Sequence, residues 1–231
     1  MSLDVYVGSL TRYYAGDWQE RAPAAPVEIV RADEAADEVV THPEEIRAAV
    51  FAWRDQLTQA LADHMTSPLD WDESDSAPRF TDKPTWECYA SLVLWAAYCE
   101  HPELPRPREI VEDWMSDTAL QRSADPAFDT AFPQLVRDVE IWLPNDVPFV
   151  FRAPDPTGHE LHIGSSAALC EQLAELNRRT WNASELALAQ WRREPADYEA
   201  PLEVGARFAF SIMTDLARKA LANRLIMKLD Y

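Results

Sequence analysis

Residues 146–181 constrain the fold most, because they predict four consecutive elements: a strand, a turn, a second strand and a helix. Apolar residues alternate with polar ones along each strand, which is the period-two pattern of an extended chain with one buried face. Prolines and Gly158 lie between the strands, where glycine permits the positive φ that a chain reversal needs. Ser165 or Ser166 can cap the helix that follows. The stretch therefore predicts an antiparallel hairpin over 147–163 with a helix packed on it.

The rest of the chain is mostly helical in pattern. Alternation over residues 3–8 predicts an N-terminal strand, which we expect to join the hairpin in a small antiparallel sheet. Residues 85–100 are apolar almost all round, which is typical of a buried central helix. Amphipathic periodicity predicts further helices over 43–65, 133–144, 183–193 and 202–229. We therefore expect one α+β domain over residues 1–231.

Cysteine usage and hydropathy indicate a cytoplasmic protein. The three cysteines have no metal-ligand spacing and are interpreted as reduced core thiols. The N-terminus lacks the basic region of a signal peptide. The longest apolar run, 88–99, is too short to span a bilayer. No membrane association is therefore predicted.

The net charge of −19 is unevenly placed along the 231 residues. Residues 67–146 carry 6 basic and 17 acidic side chains, whereas residues 147–231 carry 10 and 11. Such a field disfavours nucleic acid and anionic membranes and favours a basic protein partner. The alternative is that the acidic surface only keeps the protein soluble, because net charge by itself is evidence about solubility and association and not about a specific partner.

An acidic loop over residues 67–84 is the first candidate site. Its carboxylates suggest calcium, but the EF-hand pattern fails because residue 75 is not glycine and residue 81 is threonine. We interpret the loop as a partner-binding site in which an exposed tryptophan is the anchor and the acids surround it. A merely mobile loop is the alternative. The candidate partner-binding residues are Asp70, Trp71, Asp72, Glu73 and Asp75.

A second candidate site is the stretch TRYYAGDW at residues 11–18. It crowds aromatic side chains with polar tips around a glycine, together with one cation and one carboxylate, and such groups can line a pocket. The alternative is a turn whose tyrosines pack on the edge of the sheet. The candidate pocket residues are Arg12, Tyr13, Tyr14, Asp17 and Trp18.

Motifs for catalysis are absent from the sequence. It contains no glycine-rich phosphate loop, HExxH motif, CxxC pair or GxSxG motif. His159 and His162 are three apart in a strand, so we expect them on opposite faces, which is poor for one metal. We therefore assign no catalytic residue, no metal site and no cofactor, and an enzyme is the less favoured interpretation. A triad assembled from distant residues would leave no such motif.

Three segments carry a resemblance: LDVYVGSLTRYYAGDW at 3–18, FVFRAPDPTGHELHIGSS at 149–166, and LCEQLAELN at 169–177. They resemble a family of uncharacterised bacterial proteins with this N-terminus and this hairpin. The resemblance implies a bacterial cytoplasmic protein and transfers no catalytic residue. In size, acidity and lack of a catalytic motif the chain is also similar to immunity proteins of polymorphic toxin systems.

Three hypotheses of function follow from these patterns. The first is a cytosolic binding protein of the immunity or inhibitor type, whose acidic loop binds and blocks a basic protein. The second is a small-ligand-binding protein or enzyme with a pocket near residues 12–18, which a concave site with convergent polar groups would favour. The third is a structural subunit of a larger complex, which an extensive exposed apolar patch would indicate.

Overall fold

The structure, a computed structural model, describes residues 3–17, 42–65, 67–196 and 200–231. These residues form eight helices and six strands. The helices are α1 Leu10–Tyr14, α2 Pro43–Ala60, α3 Trp86–Glu100, α4 Thr118–Ala124, α5 Pro133–Val136, α6 Ser166–Arg179, α7 Glu185–Arg193 and α8 Leu202–Asn223. The strands are β1 Asp4–Gly8, β2 Phe80–Asp82, β3 Val139–Leu143, β4 Phe151–Pro154, β5 Glu160–Ser165 and β6 Ile226–Asp230.

The strands form one six-stranded sheet in the order β2-β1-β6-β3-β5-β4. All neighbours are antiparallel except β3 and β5, which are parallel. The α+β class is therefore confirmed, but the expectation of a small antiparallel sheet is wrong. β1 does not pair with the hairpin, since β6 and β3 lie between them.

The predicted hairpin is present, although its first strand begins at residue 151 rather than 147. β4 and β5 pair antiparallel, and Gly158 in the turn has φ of 90°. A left-handed φ of this kind favours glycine, because a Cβ would meet the backbone. The Ser165 hydroxyl accepts from the Ala168 N–H at 3.2 Å, which confirms the predicted cap of α6.

β3 replaces most of the helix predicted over 133–144. α5 ends at Val136, and Asp138 takes a left-handed φ of 52° that breaks the helical path. Residues 139–143 then pair with β5 on one side and β6 on the other. Their β-branched and aromatic side chains suit a strand that is buried on both faces.

β6 replaces the end of the helix predicted over 202–229. α8 ends at Asn223, and Arg224 in the left-handed region, φ 54°, turns the chain back. The five residues of β6, Ile226–Asp230, then pair with β1 along its whole length. Residues 108–113 form no helix, and Val111 there is 49% exposed.

Two apolar clusters cover the two faces of the sheet. The larger cluster lies under α3, α6 and α8, and the smaller one lies under α1 and α2. α3 is buried over most of its surface, as predicted, and packs closely on α8 at Gly205. A Cβ there would lie 3.0 Å from the Ser91 Oγ, so the small residue permits the close approach. None of the described helices is long and apolar enough to cross a membrane.

Candidate functional site

A cleft of about 440 Å³ lies between α1, the start of α2 and the loop at residues 73–75. It combines part of the predicted pocket with part of the predicted partner-binding loop, which are far apart in sequence. We call it the α1–α2 cleft. Its polar lining includes Thr11, Arg12, Asp17, Glu44, Arg47 and Asp75.

Glu73 also lines the cleft and fixes the position of α1. Its carboxylate accepts hydrogen bonds from the backbone N–H groups of Leu10 and Thr11, at 2.8 and 2.9 Å. These N–H groups are in the first turn of α1, where they have no partner within the helix. A third bond comes from the Trp71 indole N–H, at 2.7 Å. Glu73 is only 5% exposed, and its role is therefore structural.

Trp71 is part of the core rather than an exposed anchor. It is 2% exposed, and its ring lies 5.8 Å from the Trp53 ring between centroids. The Arg54 guanidinium lies 5.3 Å from the Trp71 ring centroid. The expectation of an exposed aromatic anchor is therefore wrong, because the loop folds this side chain and Glu73 inward under α1. That the loop binds a partner stays a prediction.

The other carboxylates of the loop have separate partners. Asp70 pairs with Arg54, 3.5 Å away, and with Arg224. Asp72 accepts from the Ser74 N–H at 2.8 Å, and hydrogen bonding from the Ser74 side chain and then from this N–H lowers the Asp72 pKa. Among the described residues, no group of three or more histidine, cysteine, aspartate or glutamate side chains is placed to hold a metal ion.

The two arginines of the cleft are already engaged by acceptors of this chain. Arg12 donates to the backbone carbonyls of Ala77 and Asp75, both at 2.8 Å. Arg47 pairs with the Asp75 carboxylate. The guanidinium groups thus have their positive charge directed at the loop, and they tie the loop to both helices.

Two carboxylates of the cleft remain without a cation. Within the described ranges, neither Asp17 nor Glu44 makes a side-chain ion pair or hydrogen bond; Asp17 accepts from Arg79 only through its backbone carbonyl, at 2.6 Å. The Thr11 hydroxyl is buried in the same lining and has no partner there either. The cleft is therefore negative and presents unused acceptor oxygens.

The predicted pocket residues Tyr13 and Tyr14 face away from this cleft. The Tyr13 hydroxyl donates to Asp230 in β6, and the Tyr14 hydroxyl donates to Asp155 in the hairpin turn at 2.7 Å. Burial raises the pKa of both phenols, and their acidic partners raise it further. The tyrosines thus pack on the sheet, which was the alternative interpretation. Trp18 lies outside the described residues.

Asp155 joins the hairpin turn to α1. Besides Tyr14, its carboxylate accepts from the Thr157 hydroxyl at 2.7 Å and from the His159 N–H at 3.1 Å. Burial alone would raise the Asp155 pKa, but these hydrogen bonds more than offset it and hold the pKa below its ordinary value. Asp155 is therefore an ionised acceptor at neutral pH.

Lys228 is a buried cation that sequence reasoning misplaced at the end of a helix. It lies in β6, is 8% exposed, and its Nζ is 5.2 Å from the Tyr13 ring centroid. Burial lowers the Lys228 pKa, while the charges of Glu140, Asp155 and Asp230 oppose that change. A lysine in a short apolar strand gives no sequence signal of this environment.

No protein-family model, curated protein or solved structure matches this chain.

Proposed function

We propose that the protein binds a basic partner protein and that the α1–α2 cleft receives a cationic side chain of that partner. One observation carries the proposal: the arginines of the cleft are engaged by this chain's own acceptors, whereas Asp17 and Glu44 have no cation among the described residues. An ammonium or guanidinium group carries several N–H donors and the opposite charge, so it would complement these carboxylates.

Thr11 adds a neutral acceptor to the same site. Its hydroxyl is buried and has no partner in the described part of the chain. A buried polar atom without a hydrogen bond costs about 1–3 kcal/mol, so a donor that reaches Thr11 would remove this cost. The lining of the cleft thus holds one neutral and two charged acceptors.

The charge of the whole chain supports the same partner class. A net charge of −19 speeds the encounter with a basic protein and slows the encounter with an acidic one. The resemblance to immunity proteins supports an inhibitor that binds and blocks a basic toxin or effector in the bacterial cytoplasm. We assign no catalytic residue in this proposal.

A small cationic ligand is the second candidate for the same cleft. The concave shape favours it, since about 440 Å³ lies inside the range of about 300–1,000 Å³ that is usual for ligand pockets. The two candidates share their chemistry and differ in the size of the molecule that carries the cation.

The test is affinity capture from the source cells at low salt with three tagged proteins. They are the wild type, the cleft variant Asp17→Asn/Glu44→Gln, and the control Asp55→Asn/Asp63→Asn. The control removes the same two charges from exposed positions on and just after α2 that do not line the cleft. We expect one basic protein to bind the wild type and the control, to be lost from the cleft variant, and to elute as salt rises.

Equal capture by all three proteins would contradict a role for the cleft. Native mass spectrometry of the purified wild type separates the second candidate from the first. A bound amine, lost in the cleft variant, together with no captured protein, would favour the small cationic ligand.

A further inference from the structure

A second cavity of about 440 Å³ lies on the other face of the sheet, beside the hairpin. Leu161 and Ile163 of β5 point into the cluster under α1 and α2. Because side chains alternate along a strand, Arg152 and His162 point to the opposite face, where they are directly opposed across β4 and β5. We call this cavity the hairpin pocket. Its defining residues are Arg152, His162, Leu120, Val136 and Arg137.

The hairpin pocket is apolar on one side and cationic on the other. Leu120 of α4 and Val136 of α5 form part of its wall, and both are buried in the larger core cluster. Arg137 and Arg152 also line it, and neither pairs with a carboxylate of the described chain. Met115 at the rim is 52% exposed.

The guanidinium of Arg137 is only partly used. One Nη donates to the Phe128 carbonyl at 3.3 Å, whereas its Nε is buried without an acceptor among the described residues. Arg152 is exposed on an edge strand. Among the described residues, 11 of the 19 lysines and arginines have a carboxylate within 4.0 Å, whereas the two guanidiniums that line this cavity have none.

We propose that the hairpin pocket binds a small organic monocarboxylate with an aliphatic or aromatic body. A guanidinium matches a carboxylate through two parallel N–H bonds, and the apolar wall would cover the body of the ligand. Asp138 also lines the cavity, so like-charge repulsion disfavours a ligand with two negative charges. The volume falls in the range of about 300–1,000 Å³ that is usual for ligand sites.

The test is isothermal titration at low salt with octanoate and with octyltrimethylammonium as probes. The two probes share an apolar chain and have opposite charges. The net charge of −19 attracts the cation and repels the anion, so a preference for octanoate would run against the field of the whole chain and indicate a local cationic site. We expect octanoate to bind with a Kd of about 0.1–1 mM and the cation to bind more weakly.

Two variants locate the site. Arg152→Gln should weaken octanoate about tenfold, because one charge-assisted interaction is lost. Met115→Glu places a negative charge at the rim, leaves both arginines in place and should weaken octanoate by a similar factor. Arg193→Gln is the matched control, because it removes an exposed arginine of α7 that does not line the pocket. It should change the Kd less than about twofold.

Three results would overturn the proposal. These are no octanoate binding by folded wild type up to about 10 mM, a cation that binds as tightly as the anion, and an Arg193→Gln effect as large as that of Arg152→Gln. Circular dichroism and the Tm show whether each variant is folded. The Asp17→Asn/Glu44→Gln variant should bind octanoate like the wild type, so this proposal fails or holds independently of the basic partner.

Discussion

The α1–α2 cleft and the hairpin pocket have the same volume, about 440 Å³, and opposite chemistry. Each contains two arginines. In the cleft both are engaged by Asp75 and by backbone carbonyls, so unpaired carboxylates define the site. In the hairpin pocket Arg137 and Arg152 have no carboxylate partner in the described chain, so cations define the site.

The difference shows that ion pairing, rather than the count of charged residues, sets the character of a cavity. A chain with a net charge of −19 can still present a local cationic site where its arginines are not neutralised. The following experiments test whether the two cavities are separate in stability and in ligand choice.

The largest expected effect is on stability, from Glu73→Ala. The change leaves the N–H groups of Leu10 and Thr11 and the indole of Trp71 without their acceptor. At about 1 kcal/mol for each lost bond, we expect the free energy of unfolding to fall by about 3 kcal/mol, measured by urea denaturation. Asp72→Ala, at a half-buried position of the same loop, should cost less than about 1 kcal/mol. Equal losses would mean that Glu73 does not hold α1.

The next effect separates the two cavities by ligand. Asp17→Asn/Glu44→Gln should weaken the binding of a hexalysine peptide about tenfold and leave octanoate unchanged. Arg152→Gln should weaken the binding of octanoate about tenfold and leave hexalysine binding unchanged. The reason is that the two cavities lie on opposite faces of the sheet and share none of these residues. Isothermal titration of both probes against both variants measures this, and a variant that weakens both probes equally would show that the cavities are not independent.

Elements with local signals were predictable from the sequence. α2 begins at Pro43 with two glutamates in its first turn, and α6 is capped by Ser165. Proline at the first helical turn and serine at a cap act through neighbouring backbone groups, so a short window contains the information. The apolar surface of α3 likewise predicts its burial.

β3 and β6 were not predictable, because tertiary pairing decides them. Short apolar runs such as VEIWL and IMKLD fit one stripe of a helix as well as a strand. What selects the strand is the availability of β5 and β1 as partners. The end of α8 at the left-handed Arg224 also lacks the glycine that usually marks such a stop.

The candidate site was predictable only in part. Arg12, Asp17 and Asp75 were candidates, but they belonged to two separate proposals. Glu73 joins them through hydrogen bonds from Leu10 and Thr11, which precede it by 63 and 62 positions in the chain. No local sequence pattern reveals such a contact. Arg47 was missed because one exposed charge on a helix looks like ordinary surface.

A smaller effect tests the contact between α1 and the hairpin, which is the bond from Tyr14 in α1 to Asp155 in the hairpin turn. Tyr14→Phe should lower the free energy of unfolding by about 1 kcal/mol at pH 7. The Asp155 pKa is held below the ordinary value of 3.8, so its stabilisation is complete above that value and is lost as pH falls through the lower folded pKa. The difference in the free energy of unfolding between wild type and Tyr14→Phe should therefore become smaller in acid.

Thr180→Val is the control for this pH dependence. Its hydroxyl donates to the Leu176 carbonyl at 2.7 Å, and a backbone carbonyl does not titrate. The stability difference between Thr180→Val and wild type should be constant over the same pH range, followed by urea denaturation. If the stability difference from wild type narrowed in acid equally for both variants, the titration of Asp155 would not be the cause of the pH dependence.

The smallest effect distinguishes the cleft from the acidic loop as a whole. Asp75→Ser should weaken hexalysine about threefold and flatten the salt dependence, because it removes a carboxylate of the cleft and leaves Arg47 without its acidic partner. Asp70→Ser/Asp72→Ser removes twice the charge but should weaken binding less than about twofold, since Asp70 is paired with Arg54 and Arg224 and neither aspartate lines the cleft. Titration at two salt concentrations compares the variants. A larger loss in the double variant would assign the attraction to the loop surface, and the cleft would then be only a neighbour of the binding site.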